Sequence, residues 1–205
     1  MASDRLTRQI QFILEVDKLK SILRRSYLLN QQRHENSAEH SWHLAMMAIL
    51  LHEYANEMVD LLHVVKMVLV HDLVEIDAGD TYCYDDAANA DKAERERQAA
   101  DRIFAILPDE QGKEICDLWE EFEERSTPEA KFANALDRMM PMMHNYYTKG
   151  KAWREHNVGS DKVLGRNSVM KDGSEKLWEF TQSLIKDAVE KGYLAASTKK
   201  KETIE

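Results

Sequence analysis

Apolar residues recur every three or four positions along most of this 205-residue chain, the mark of helices that bury one face. Ile10, Ile13 and Leu14 open the pattern and predict a first amphipathic helix over about residues 4–23. Arg24 to Arg33 breaks the period and reads as an irregular connection. Asn36 can cap a second helix, with Glu39 three residues on reaching back to the free N–H groups. That helix carries His40 on its first turn, then Trp42, Ala45, Met46, Ile49 and Leu50. The run Leu61, Leu62, Val64, Val65, Met67, Val68, Leu69, Val70 predicts a buried helix over about 60–76, ended by Gly79. Residues 80–90 are polar and expected to loop over whatever that helix presents. Charged helices follow over about 89–107, stopped by Pro108, and on to about 124.

Thr127-Pro128-Glu129 starts a further helix, with a capping threonine and proline at the first helical position. It carries Asp137, and Pro141 four residues later cannot donate to the Asp137 carbonyl, so a kink is expected there. Residues 149–167 are expected to form a long loop, and a last helix runs over about 173–191 with Gly192 as its stop. With only three prolines, seven glycines and no internal repeat, the fold class is all-α. One helical-bundle domain is expected over 1–196, with a frayed lysine-rich tail over 197–205.

Composition narrows the function classes. Hydrophobic residues are 43% and charged residues 32%, a soluble balance with no stretch of the roughly 20 apolar residues that crosses a bilayer. The N-terminus lacks a signal-peptide core, so the cytoplasm is the expected location and no membrane partner is expected. Cys83 and Cys116 are too few for a disulfide framework and read as free thiols. A net charge of −9 argues against a nucleic-acid partner, while a few local arginines can still hold one small phosphate.

His71-Asp72 at the end of the most apolar helix needs a reason, because burying an unpaired carboxylate costs several kcal/mol and a divalent cation reverses that cost. His40 and Asp137 supply what such a site needs. Two imidazoles and two carboxylates suit Mn, Co, Fe, Ni or Zn. Glu75 shares a helix face with His71 four residues earlier and can serve as a general acid or base. Taken singly, each residue has a plainer role: a buried histidine bonded to backbone, Asp72 capping a neighbour, or Asp137 paired with Arg138. Arg33 pairing with Glu39 is favoured over a phosphate role. His43, His52 and His63 read as structural or exposed; His144 and His156 are within possible reach of the site. The four tryptophans and the group Met139-Met140-Met142-Met143 read as core or interface.

Glu35-Asn36-Ser37-Ala38-Glu39-His40-Ser41, His71-Asp72-Leu73-Val74-Glu75-Ile76-Asp77-Ala78-Gly79-Asp80 and Leu136-Asp137-Arg138 together resemble the HD-domain superfamily of metal-dependent phosphohydrolases. The closest resemblance is to its 5′-deoxynucleotidase-like branch. It implies that His40, His71, Asp72 and Asp137 hold a divalent metal and that Glu75, with Asp72, serves catalysis. Asp80, beside Thr81, would contact the sugar, and Arg24 or Arg25 would hold the phosphate. Where that branch carries an aromatic residue, often Trp, close behind the arginine, this chain has Arg24-Arg25-Ser26-Tyr27. The implied substrate is a small phosphate ester, above all a deoxyribonucleoside 5′-monophosphate, and the implied assembly is a homodimer. The competing readings are HD-type hydrolysis of an alarmone, cyclic nucleotide or triphosphate, and a metal-stabilised binding module without turnover. The former substrates want extra basic residues near the site, and no dense basic cluster lies beside these motifs in the sequence.

Overall fold

A computed structural model describes residues 4–85 and 87–197; the expected tail at 198–205 lies outside the described residues. Eleven helices and one two-stranded hairpin follow in order among them. Helix α1 spans Asp4–Val16 and runs into a 3₁₀ turn over Asp17–Ser21. Strands β1 (Leu23–Tyr27) and β2 (His34–Asn36) then pair antiparallel, Leu23 opposite Asn36 and Tyr27 opposite His34. This hairpin replaces the expected irregular connection over 24–33. Along β1, Arg24 and Ser26 turn inward while Leu23 and Arg25 are exposed, so the alternation of a strand is present with polar residues on its inner side.

Helix α2 (Ser37–Leu51) starts as expected: Asn36 accepts from the Glu39 amide, and the Glu39 side chain accepts from the Asn36 amide. Helix α3 (Leu61–Val70) is shorter than expected. After it the chain tightens, with Leu73, Glu75 and Ile76 each donating to a carbonyl three residues back. The single turn α4 (Glu75–Ala78) closes at Gly79, whose φ of 74° suits glycine. Helices α5 (Lys92–Phe104) and α6 (Asp109–Glu124) follow.

The centre of the molecule is α7 (Pro128–Tyr147), capped by Thr127 with Pro128 at its first position and continuing through Pro141. Phe132, Leu136, Met139 and Met140 are buried there, which is why this helix is apolar on more than one face. They pack with Leu44 and Ala48 of α2 and with Val64, Met67 and Val68 of α3. A second cluster joins Leu19, Val70 and Val74 to Ile103, Phe104 and Trp119. Residues 149–167 are not a loop: α8 (Lys151–Glu155) and α9 (Ser160–Asn167) form there, held by buried Trp153 and Val163. The short helix α10 (Met170–Gly173) precedes α11 (Glu175–Glu190), which forms where the last helix is expected. Trp42, expected in a core or interface, is 63% exposed, and Ile10, Ile13 and Leu14 of α1 are exposed as well. No helix among the described residues is long and apolar enough to cross a membrane.

Candidate functional site

Where β1, the α3–α4 turn and α7 meet, their polar side chains line a cleft of about 1110 Å³ including its open mouth. His40 comes from the first turn of α2 and is fully buried, and His71 and Asp72 from the end of α3 are buried beside it. Asp137 reaches them from α7. His40 Nε2 lies 2.9 Å from Asp137 Oδ1, and His71 Nε2 lies 3.8 Å from the same oxygen. One ligand atom each from His40, His71 and Asp72 lies within 4.8 Å of the others.

The donor set fits a divalent cation. His71 Nδ1 donates to the Val68 carbonyl at 2.9 Å, which turns Nε2 toward the site; a cation there would take the place of the proton that Asp72 favours on this ring. That nitrogen is buried without a hydrogen-bond partner, and Asp72 Oδ1, 3.0 Å away, is out of line for one. Behind His40, Glu35 Oε2 stands 3.7 Å from His40 Nδ1, the place of a carboxylate that orients a metal-binding imidazole. Glu35 also stands 3.7 Å from His144 Nδ1, and with His43 these form a second group of ligand atoms within 4.8 Å of one another.

The electrostatics centre on Arg24. Its guanidinium donates to Asp72 at 2.7 Å and lies within 4.0 Å of Glu35, Glu75, Asp80 and Asp137. Burial opposes the charge, but these carboxylates outweigh it and hold Arg24 firmly protonated. Burial lifts Glu35 to about 8 and, together with the Asp72 charge, lifts Glu75 well above the carboxylate range. Asp80 is raised for the same reason. Asp72 goes the other way: burial works against its charge, yet His71 and Arg24 hold it low. In Asp137 the bond from His40 overcomes burial and depresses the pKa. Burial and Arg24 push His40 down to about 4, whereas Asp72 carries His71 up to about 9 against burial. Ser37 Oγ donates to Glu75 Oε2 at 2.7 Å and fixes its orientation.

The other expected site residues divide. Arg24 faces the carboxylates, and Arg25 is exposed at the same cleft. Asp80 and Thr81 both line it, Thr81 accepting from Arg95 at 3.2 Å. Arg33 is spent on Glu39, as expected, in two hydrogen bonds of 2.8 and 2.5 Å. Arg138 does not bond to Asp137; it donates to the Arg166 carbonyl at 3.1 Å. Glu35 opens the first of the three motif strings, but nothing in the sequence assigned it a role beside His40 and His144. The absence of a basic cluster is corrected too: Arg125, Arg138 and Arg166, distant in sequence, line one cleft.

The chain is similar to a crystal structure from Magnetospirillum magnetotacticum, described as a predicted metal-dependent phosphohydrolase. Identity is 49%, with 93% of this chain and 98% of that one covered at a TM-score of 0.88. It is also 34% identical over 144 residues to the 5′-deoxynucleotidase HDDC2 of Danio rerio, covering 69% of this chain and 70% of that one. The human HDDC2 is 34% identical over 130 residues, which span 62% of its length. The family model of the HD domain matches residues 16–178, from the end of α1 into α11 and across every motif of the cleft. The chain therefore belongs to the HD domain family.

Proposed function

We propose that the protein is a metal-dependent phosphomonoesterase acting on deoxyribonucleoside 5′-monophosphates, releasing nucleoside and phosphate. One observation carries this reading: His40, His71, Asp72 and Asp137 converge in a cleft that also holds Glu75 and the Arg24 guanidinium. The printed activity of the HDDC2 relatives supports the substrate class.

His40, His71, Asp72 and Asp137 would hold a divalent ion of the Mn, Co, Fe, Ni or Zn set. When bound, such an ion supplies positive charge to phosphoryl oxygens and acidifies water. With a cation offsetting the neighbouring carboxylates, Glu75, held by Ser37, would be ionised and take a proton from the attacking water; the water oxygen bonds to phosphorus, the P–O5′ bond breaks, and the proton held by Glu75 passes to O5′. Arg24 steadies the charge that spreads over the phosphoryl oxygens. Asp80 accepts from the sugar hydroxyl, and Thr81 lines the same side. A 2′-hydroxyl without a partner in that corner disfavours ribonucleotides.

The test is phosphate release from deoxy and ribo 5′-monophosphates side by side, on protein resupplied with each metal in turn. Deoxy substrates should lead in kcat/KM by about tenfold or more, the scale of one missing or misplaced contact. Equal rates contradict the sugar assignment, and silence across the panel contradicts the activity. A cytosolic setting and a homodimer complete the proposal. The dimer is supported by exposed Trp42, Met46, Ile49 and Leu50 on one face of α2, and sedimentation at the mass of a single chain would contradict it.

A further inference from the structure

Behind His40 lies a second set of ligand atoms that the hydrolysis of a phosphate ester leaves unused. Glu35 comes from β2, His43 from α2 and His144 from α7, and one ligand atom from each lies within 4.8 Å of the others. Glu35 and His144 are buried, with 2% and 4% of their surface exposed. Glu35 Oε2 and His144 Nδ1 stand 3.7 Å apart, and among the described residues neither has a hydrogen-bond partner. That separation is too long for a hydrogen bond, yet two atoms so placed can flank one zinc-sized ion at about 2.0–2.2 Å from each. Buried polar atoms without partners carry a desolvation cost that an ion between them would offset. Glu35 Oε2 also stands 3.7 Å from His40 Nδ1, but a neutral imidazole has a single lone pair, and His40 turns Nε2 toward Asp137. An Nε2 given to the first centre leaves Nδ1 with the ring proton, facing Glu35. His144 has no such duty, and its lone pair is available. His43 is half-buried, so the set reaches solvent.

We propose that Glu35, His43 and His144 form a second divalent-cation site, of zinc type, on the far side of the His40 ring from the four-ligand centre. Two imidazoles and one carboxylate are a zinc donor set that leaves a fourth position for water, and imidazole nitrogen selects against magnesium and calcium. Burial lifts Glu35 to about 8, and a cation displaces the proton that the carboxyl would otherwise keep. Burial also draws His144 down to about 4 and keeps it neutral, the form in which an imidazole ligates. The three ligands belong to three elements, so the ion would tie β2 and α2 to α7 and hold Glu35 against His40.

Such a site binds metal whether or not the protein cleaves a phosphate ester, so its test needs no turnover. Metal-stripped protein is titrated with zinc against a chromophoric chelator, and the ions held per chain are counted. The parent should hold two, and His43→Ala and His144→Ala should each hold one. With cobalt in place of zinc, the four-coordinate site should add strong visible absorption that both variants lose. Thermal unfolding of the stripped proteins confirms that the variants are folded; if His144→Ala is not, His43→Ala, at a half-buried position, decides alone. Two ions in the parent and in either folded variant overturn the site, since the second ion then sits elsewhere. A single ion in the parent that either folded variant keeps also overturns it, because that ion belongs to the four-ligand centre. A single ion in the parent that both variants lose, together with the cobalt absorption, upholds the site and removes the four-ligand centre, and with it the metal-dependent hydrolase reading. No ion in the parent overturns both.

Discussion

Arg24 faces five carboxylates, one at 2.7 Å and the others within 4.0 Å, and a single guanidinium cannot balance them. The raised pKa values of Glu35, Glu75 and Asp80 follow from burial and that imbalance, and a divalent cation beside His40 and His71 would relieve it. The roles of the neighbouring carboxylates are separable. Glu75→Gln should keep the metal content of the parent while lowering kcat by about 10²–10⁴-fold; loss of metal in that variant would place Glu75 among the ligands instead. Glu35→Gln should weaken metal affinity by about 10–100-fold, as removal of an orienting partner does, read by competition with a chelator. Unchanged affinity would leave Glu35 a purely structural carboxylate. At this scale the sequence was most readable for the histidines and aspartates, because His40, His71-Asp72 and Asp137 sit in recognisable local strings. The choice between Arg24 and Arg25 was not readable, since it depends on which one faces inward from a strand. Arg125, Arg138 and Arg166 share the cleft only through approaches between distant elements.

Elements with strong local signals formed where their sequences predict. The Asn36–Glu39 capping box and the Thr127-Pro128 start both exist as read. The elements that differ lacked such signals. β1 turns Arg24 and Ser26 toward the cleft, so its inner side carries none of the apolar alternation that marks a strand. Helices α8 and α9, of 5 and 8 residues, are shorter than the roughly 12–15 residues that hold a helix in isolation. They exist because Trp153 and Val163 are buried against the rest of the protein. The single helix expected over 60–76 breaks at His71, where bonds to carbonyls three residues back bring Asp72 and Glu75 to the same side. The closeness of α10 to α7 is testable: a Cβ on Gly173 would meet the Lys131 carbonyl oxygen at 2.1 Å. Gly173→Ala should destabilise the fold by about 1–3 kcal/mol, the range for forced overpacking, in chemical denaturation. A neutral effect would mean that the two helices slide apart freely.

Over the whole molecule, three apolar clusters accompany one polar cleft, which is lined both by the carboxylates around Arg24 and by Arg125, Arg138 and Arg166. Because His40 comes from α2, His71 and Asp72 from the turn that ends α3 and Asp137 from α7, an ion held there would link the helices of the largest cluster. Metal at about 100 times its Kd should add about 2.7 kcal/mol and raise Tm by about 5–10 °C over chelated protein for a chain of this size. An unchanged Tm would separate the metal from the fold. The helical class was readable across the entire chain, since it rests on periodicity summed over many residues. The grouping of Arg125, Arg138 and Arg166 was not, since they lie 13 and 28 residues apart and share a cleft only in the folded chain.

The most direct test of the central claim is a metal titration of stripped protein, reading phosphate release from deoxyadenosine 5′-monophosphate. The account predicts no turnover without metal and a rise that levels off once the four-ligand centre is filled. It also predicts an Asp72→Ala variant that neither retains the ion nor releases phosphate at any metal concentration. Full activity in the stripped protein, or in Asp72→Ala, would contradict it.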